Sequence, residues 1–313
     1  MTLAASPPPH PRAGPIVERH RIGKWVVHAI QAGGLKLDGG AMFGVVPKPL
    51  WERKIAPDAR NRIQMGMRCL LIEHEIGPVL IETGAGNKET AKFHDIYGIE
   101  NAGADGRTAL EDGIREAGFD PTDIALVIDT HLHFDHAGGN TYRDASGEVR
   151  LTFPRARYVV QGGEYHFATH ANERTAGSYF APNFVPVHEA GRFLLVDGEQ
   201  EVAPGITVVP TPGHTPHHQS VLLDGGGELT FVLADLVPTV AHLPLAWIMG
   251  YDVEPLVTLE TKRRILQRAR DEHWLVFFVH DASLAWGRVT HDGKSYGIEA
   301  APIPAVDAPR RAN

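Results

Sequence analysis

Cysteine is almost absent from this chain of 313 residues, which contains a single one, Cys69. One cysteine cannot form an intramolecular disulfide, and it excludes a zinc site built from several thiolates. Cys69 lies within the apolar segment 67–72, so we expect a buried hydrophobic residue rather than a nucleophile. Any metal or catalytic chemistry must therefore come from other side chains.

Long apolar runs and dense clusters of basic residues are also missing. No segment reaches the roughly 18 apolar residues that a membrane-spanning helix needs. The segment 4–9 lacks the apolar stretch of a secretory signal. With a formal net charge of −8, the chain also lacks the electrostatic footprint of a nucleic-acid-binding protein. We therefore expect a cytoplasmic protein that acts on a small molecule, with neither a nucleic acid nor a membrane as partner.

The two ends of the sequence differ from its central part. Residues 1–20 and 301–313 contain several prolines and show no hydrophobic periodicity, so we predict a flexible leader and a flexible tail. Between them, residues 21–300 contain no internal repeat and no clear linker. This organisation indicates one domain.

Strand-type patterns outnumber helical patterns within that domain. Residues 25–30 and 68–73 are typical of the predicted strands. Residues 108–118 and 255–273 have the spacing of amphipathic helices. Because strands and helices do not alternate strictly, the pattern favours two β-sheets covered by helices on their outer faces.

The strongest local signal is a cluster of histidine and aspartate directly after the apolar run 125–128. It comprises His131, His133, Asp135 and His136. Imidazole and carboxylate groups suit zinc, iron, cobalt or manganese. Without a cation, four such groups at the end of a buried strand would repel one another or bury unpaired polarity. We therefore favour a metal site over ordinary surface or core histidines.

Three further side chains of the same chemistry follow apolar runs elsewhere in the chain. They are His214 after 206–210, Asp235 after 231–234 and His280 after 275–279. Each one alone is equally consistent with a structural residue. Their common placement at strand ends favours a second set of ligands.

The ordered set of motifs resembles that of the metallo-β-lactamase superfamily. It consists of His131-x-His133-x-Asp135-His136, Pro212-Gly213-His214-Thr215, Asp235 and His280, and the resemblance covers about residues 25–295. It implies an α/β protein whose residues 21–300 form the catalytic domain, an αββα four-layer sandwich of two mixed β-sheets flanked by helices. It also implies two divalent transition metal ions, with zinc expected and manganese, cobalt or iron as alternatives.

The resemblance also implies a role for each ligand. His131, His133 and His214 would bind the first metal, Asp135, His136 and His280 the second, and Asp235 would bridge them. Two such cations bind a shared water and lower its pKa, so that the bridging hydroxide attacks the substrate. Asp135 or Asp235 would then pass the proton to the leaving group.

Two positions distinguish the chain within this family. Asp235 stands where true β-lactamases carry a cysteine or another residue, which disfavours β-lactams as substrates. Glu82 stands where the family usually has the aspartate of an Asp-Thr-Gly turn. The extra methylene leaves open whether Glu82 keeps the supporting role of that aspartate, and we do not count it as a ligand.

The segments 38–51 and 211–218 resemble those of quorum-quenching lactonases and of the related methyl parathion hydrolases. His217 and His218 in the second segment are expected to be supporting or structural residues rather than ligands. Large apolar residues near the motifs predict a substrate pocket for an acyl chain or an aromatic leaving group. They are Phe134, Met42, Phe43, Trp247 and Met249, each of which is equally consistent with an ordinary core residue.

Several functions remain open at this point. We favour the hydrolysis of a lactone or a related ester, as in N-acyl-homoserine lactonases. A phosphotriesterase is the nearest alternative, and a glyoxalase II-like thioesterase is disfavoured because no separate helical C-terminal domain is evident. A non-catalytic metal-binding scaffold is the alternative from another class. The loop 43–51 could pack across a homodimer as easily as over a pocket.

Overall fold

The computed structural model describes residues 16–301 and residue 306. Residues 1–15 of the predicted leader, and residues 302–305 and 307–313 of the predicted tail, lie outside the described residues. The predicted end of the leader at residue 20 is wrong. Val17–Ile22 is a strand because it forms an antiparallel hairpin with the strand that follows it.

The described residues form sixteen strands: β1 (Val17–Ile22), β2 (Trp25–Asp38), β3 (Arg62–Ile72), β4 (Val79–Ile81), β5 (Leu126–Ile128), β6 (Thr141–Arg143), β7 (Val149–Leu151), β8 (Arg157–Gln161), β9 (Phe193–Val196), β10 (Gln200–Ala203), β11 (Ile206–Pro210), β12 (Gln219–Leu223), β13 (Thr230–Val232), β14 (Leu275–Phe277), β15 (Trp286–His291) and β16 (Tyr296–Ala300). They also form eight α-helices: α1 (Gly39–Phe43), α2 (Lys48–Trp51), α3 (Ala91–Tyr97), α4 (Ala109–Glu116), α5 (Phe134–Ala137), α6 (Gly162–Thr169), α7 (Val185–Glu189) and α8 (Pro255–Asp271). Short 3-10 turns connect several of these elements.

Two seven-stranded sheets form the centre of the fold. The first has the strand order β1-β2-β3-β4-β5-β8-β9 and the second has the order β10-β11-β12-β13-β14-β15-β16. Both are mixed, because β4, β5, β8 and β9 pair in parallel in the first sheet, as do β13 and β14 in the second. Strands β6 and β7 form a separate small hairpin.

Three apolar clusters arrange these sheets and helices in four layers. The cluster between the sheets takes side chains from both of them, including Val27, Ile72 and Ile128 from the first and Val208, Val221 and Phe277 from the second. On the outer face of the first sheet, Leu110 and Ile114 of α4 pack into a second cluster. On the outer face of the second sheet, Ile265 and Leu266 of α8 pack into a third. The predicted αββα sandwich is confirmed.

The first two long strands extend beyond their predicted ends. Strand β2 runs to Asp38 rather than residue 30, and its partner β3 begins at Arg62 rather than residue 68. The pairing shifts register between Gln31 and Gly34, and Gly33 has a positive φ of 138° there. Gly33 and Gly34 therefore form a bulge within a continuous strand. This extension forms one wall of the cavity described below.

Several strands end at the same edge of the molecule. Strands β4 and β5 are parallel, so the loops after them leave from one end of the first sheet. In the second sheet β13 and β14 are parallel, and their following loops leave from one end in the same way. These loops carry the side chains of the candidate site. No helix of the described ranges is long and apolar enough to cross a membrane.

Candidate metal centre

The structure brings all seven predicted ligand residues together at that edge. Four follow β5, and one each follows β11, β13 and β14; they are His131, His133, Asp135, His136, His214, Asp235 and His280. All are buried, with no more than 8 % of any residue exposed to solvent.

Three histidines form what we call the first ligand group: His131, His133 and His214. One side-chain nitrogen of each lies within 4.8 Å of the others. The Nδ1 atom of His133 is 3.0 Å from Nε2 of His131 and 3.0 Å from Nε2 of His214. These nitrogens converge on a volume the size of one cation.

Asp135, His136 and His280 form the second ligand group. Their ligand atoms also lie within 4.8 Å of one another. The two Nε2 atoms of His136 and His280 are 3.0 Å apart. An Asp135 oxygen, Oδ2, is 3.7 Å from Nε2 of His280. This group differs from the first because it includes a carboxylate.

Asp235 lies between the two groups. Its Oδ2 is 3.2 Å from Nε2 of His214 in the first group. Its Oδ1 is 3.1 Å from Nε2 of His280 and 3.4 Å from Nε2 of His136 in the second. One carboxylate therefore faces both groups, with one oxygen towards each.

The outer nitrogens of two histidines show which tautomer faces the centre. The Nδ1 atom of His280 donates a hydrogen bond of 2.8 Å to the carbonyl oxygen of Gly66, and Nδ1 of His214 donates one of 2.9 Å to Asp252. In its neutral form each ring has one N–H, so both Nε2 atoms then carry a lone pair towards the centre. Burial opposes the charge on His214, but Asp235 and Asp252 raise the pKa of His214 as long as no cation is bound. Lone pairs that face one another in a buried site repel each other unless a proton or a metal cation lies between them. Oδ1 of Asp235, buried without a hydrogen-bond partner, fits the same requirement.

The electrostatics of the centre agree with this fit. Burial, together with the neighbouring histidines, lowers the pKa of His131 and of His133 well below the usual range, so both are neutral ligands. Burial opposes the charge on His136, but Glu82, Asp235 and Asp135 outweigh it and raise the pKa of His136. Burial would raise the pKa of Asp235, but the surrounding histidines lower it well below its usual range. A fully ionised Asp235 is the form that binds a metal.

Glu82 lies behind the second group. Its Oε2 is 3.2 Å from Nδ1 of His136, the nitrogen that points away from the centre. Glu82 is 1 % exposed and has a positive φ of 66°, which is unusual for a residue other than glycine. The longer side chain therefore reaches the outer nitrogen of a ligand, where a carboxylate can orient the ring.

Two buried acidic residues near the site have no counterpart in the sequence prediction. Asp252 accepts the hydrogen bond from His214. Glu164 accepts hydrogen bonds from the backbone N–H of Leu132 and from the hydroxyls of Tyr179 and Thr215. Burial raises the pKa of Glu164. Glu164 thus joins the loops of the first group. Neither Glu164 nor Asp252 belongs to a motif of the sequence analysis.

A cavity of about 50 Å³ opens over both groups. Five of the ligand residues line it together with mostly apolar side chains: Leu37, Met42, Met65, Tyr97, His133, Phe134, Asp135, Ser178, His214, Asp235, Met249, Tyr251 and His280. Phe134, Met42 and Met249 therefore lie where the sequence analysis placed them. Leu37 and Met65 belong to the strand extension that the sequence analysis missed.

The prediction that Phe43 and Trp247 line the pocket is wrong. Phe43 is fully buried between two rings, 5.2 Å from that of Trp51 and 4.6 Å from that of His242. Trp247 packs edge-on against Phe43 at 5.7 Å. Neighbouring residues of a helix point about 100° apart, so Met42 of α1 faces the cavity while Phe43 faces the core.

Fold and site together define the class: a four-layer αββα protein with a histidine and aspartate cluster suited to metal ions. The chain belongs to the metallo-beta-lactamase superfamily, whose family model matches residues 68–280. This confirms the family that the motifs predicted.

Known relatives agree with that assignment. The chain is 30% identical over 234 residues to an N-acyl homoserine lactonase of Bacillus cereus, covering 71% of this chain and 83% of the relative. A probable metal-dependent hydrolase from Staphylococcus aureus superposes with a TM-score of 0.79 at 29% identity, covering 90% of this chain and 100% of the other.

Another solved structure is that of an N-acyl homoserine lactone hydrolase with the product N-hexanoyl-L-homoserine bound at its catalytic metal centre. It is similar with a TM-score of 0.61 and 25% identity, and the match covers 85% of this chain and 94% of that one.

Proposed function

We propose that this protein is a metal-dependent hydrolase that opens the ring of N-acyl homoserine lactones or cleaves a related ester. One observation carries the proposal: both ligand groups lie at the floor of one apolar cavity, to which each contributes side chains. The relative from Bacillus cereus, named as a lactonase of this kind, supports the same substrate class.

The ligand roles form part of the proposal. His131, His133 and His214 would hold one cation and Asp135, His136 and His280 the other, with Asp235 facing both sets. Two cations bound there would supply an activated water and would polarise the carbonyl oxygen of the substrate. Nitrogen and oxygen ligands of this kind accept zinc, which we expect, as well as manganese, cobalt or iron.

The protein's own side chains orient the ligands and handle the proton. Asp252 and the carbonyl oxygen of Gly66 fix the rings of His214 and His280 from behind. Hydrolysis adds a water oxygen to the carbonyl carbon and breaks the ring C–O bond, so the leaving oxygen needs a proton. A carboxylate oxygen of Asp135 or of Asp235 holds the water's proton and delivers it there, since both residues face the cavity.

The remaining wall of the cavity receives the acyl substituent. Methionines from three separate segments, Met42, Met65 and Met249, line it with Leu37 and Phe134. Unbranched methionine side chains adapt to flexible apolar groups. An acyl chain fits this lining better than a charged substituent does.

Substrate comparison tests the proposal. Metal-reconstituted protein would be given an acyl-homoserine lactone, a simple γ-lactone, an aryl phosphotriester and a glutathione thioester, with ring opening followed by a pH indicator. We expect turnover of the lactones to exceed that of the other two. Turnover of the thioester alone, or of the triester alone, would reject the lactonase proposal. No turnover of any of them, with metal bound, would favour a non-catalytic scaffold.

A further inference from the structure

A lysine lies buried in the core beside the cavity wall. Lys262, in the middle of α8, is only 1 % exposed. It forms no ion pair with a carboxylate of any described residue. Because an ammonium group without a counter-ion is costly to bury, such a residue needs a set of strong acceptors.

Three backbone carbonyls supply those acceptors. The Nζ atom of Lys262 donates hydrogen bonds of 2.7 Å to the carbonyl oxygen of His242, 2.9 Å to that of Pro244 and 2.9 Å to that of Trp247. The segment 242–247 curves around the ammonium group, whose three N–H donors match its three carbonyls. Without them, the carbonyls of His242 and Trp247 would lose this partner, whereas that of Pro244 also accepts from the backbone N–H of Trp247.

The segment 242–247, which Lys262 clamps, is joined to the cavity wall on both sides. His242 donates from Nε2 to the carbonyl oxygen of Met42, at 2.8 Å. A few residues further on, the backbone N–H of Gly250 donates to the carbonyl oxygen of Ala41, also at 2.8 Å. Met249 and Tyr251, which flank Gly250, both line the cavity. The wall formed by α1 and residues 249–251 is therefore held in place through the segment that Lys262 clamps.

We propose that Lys262 is a positioning residue that fixes the 249–251 wall of the cavity through its three backbone hydrogen bonds. It touches neither ligand group, so it sets the fit of the substrate rather than the binding of metal. The expected effect on KM rests on the proposed function. The expected effect on the position of the cavity wall does not depend on it.

The chemistry of the group explains why a lysine suits this position. Burial lowers the pKa of Lys262 to about 7, opposed by the carboxylate of Asp252. A neutral amine has only two N–H donors, so one of the three carbonyls would lose its hydrogen bond to Lys262. The three acceptors are thus matched only by the charged form.

Hydrogen exchange of the backbone amides tests the clamp without reference to activity. In Lys262→Met, which keeps the length of the side chain but removes its donors, we expect residues 242–252 to exchange at least about tenfold faster than in the unmodified protein. The matched control is Ile265→Val, a buried change one helical turn away that loses one methyl group and leaves the clamp intact. It should leave exchange in 242–252 unchanged.

Kinetics on the metal-reconstituted protein separate positioning from general damage. For Lys262→Met we expect the KM for the lactone to rise by about tenfold or more, with metal content unchanged and kcat within about threefold. Unchanged exchange in 242–252 together with an unchanged KM would overturn the proposal. If exchange rises but no substrate is turned over even by the unmodified protein, the proposed function fails while the clamp stands.

A second variant covers the case in which Lys262→Met does not fold. Lys262→Gln retains two N–H donors, and we expect it to fold with a smaller rise in exchange and in KM than the loss of all donors gives. If this variant also fails to fold, Lys262 serves the whole fold rather than the cavity wall, and the proposal is overturned.

Discussion

The two ligand groups differ in charge and in what holds them. The first consists of imidazoles alone, and burial lowers the pKa of two of them, His131 and His133. The second contains the carboxylate of Asp135 and has Glu82 behind it, which together with Asp235 raises the pKa of His136. The second group therefore attracts a cation through the charge of its own carboxylate, whereas the first offers only imidazole nitrogens held at the right positions.

The supports of the two groups also come from different parts of the molecule. Those of the second are within the first sheet, where Gly66 belongs to β3 and Glu82 directly follows β4. The support of His214 in the first group is Asp252, which lies in an irregular loop before α8. We infer that changes in this loop affect the first group selectively.

Removing the carboxylate that faces both groups affects them together and gives the largest expected effect. In Asp235→Ala, both groups lose an oxygen ligand, so we expect metal content to fall and kcat/KM to drop by about 10³-fold or more. Metal analysis and lactone hydrolysis measure the two effects. Asp235→Asn keeps one oxygen ligand, so its metal content and kcat/KM should lie between those of Asp235→Ala and those of the unmodified protein. A variant that keeps both metals and most of the activity would show that Asp235 is not shared.

Removing one imidazole from each group tests whether the groups act separately. His133→Ala and His280→Ala should each lose about one of the two metals, because the other group keeps its three ligands. Metal analysis after dialysis against a weak chelator measures the content. Loss of both metals from each variant would mean that the two groups form one inseparable site.

Changing the supports should have smaller and selective effects. Asp252→Asn should weaken binding to the first group, and Glu82→Gln to the second, each by about 10- to 100-fold. Competition titrations with a chromophoric chelator resolve the two affinities. The comparison fails if Asp252→Asn weakens the second group as strongly as the first.

Glu164→Gln should give the smallest effect. Three donors point at this carboxylate, so an amide places its NH₂ against one of them and costs about 1–3 kcal/mol in the free energy of unfolding. Urea denaturation measures this change. The neighbouring first group should bind metal slightly more weakly and the second group normally. An unchanged free energy of unfolding would show that Glu164 does not hold the loops together.

Local patterns predicted the positions of the ligands, because each follows an apolar strand. His214, Asp235 and His280 could be assigned this way although they are far apart in sequence. The supporting residues Asp252 and Glu164 could not, since their partners are set by the meeting of distant loops. No spacing in the sequence encodes such contacts.

The cavity was predicted only in part for similar reasons. The strand predicted at 25–30 ends before the bulge at Gly33, so the extension of β2 was missed, and with it the places of Leu37 and Met65. The orientation of α1 decides that Met42 rather than Phe43 faces the cavity, and this orientation depends on the stack with Trp51 and His242. Packing of this kind is a property of the folded chain.

The central claim is that two ligand groups hold two cations. It is tested most directly by loading the purified protein with Zn²⁺, removing the excess and measuring zinc per chain by elemental analysis. The account predicts a value close to two, falling to about one when either His133 or His280 is replaced by alanine. A value of one or less in the unmodified protein would contradict it.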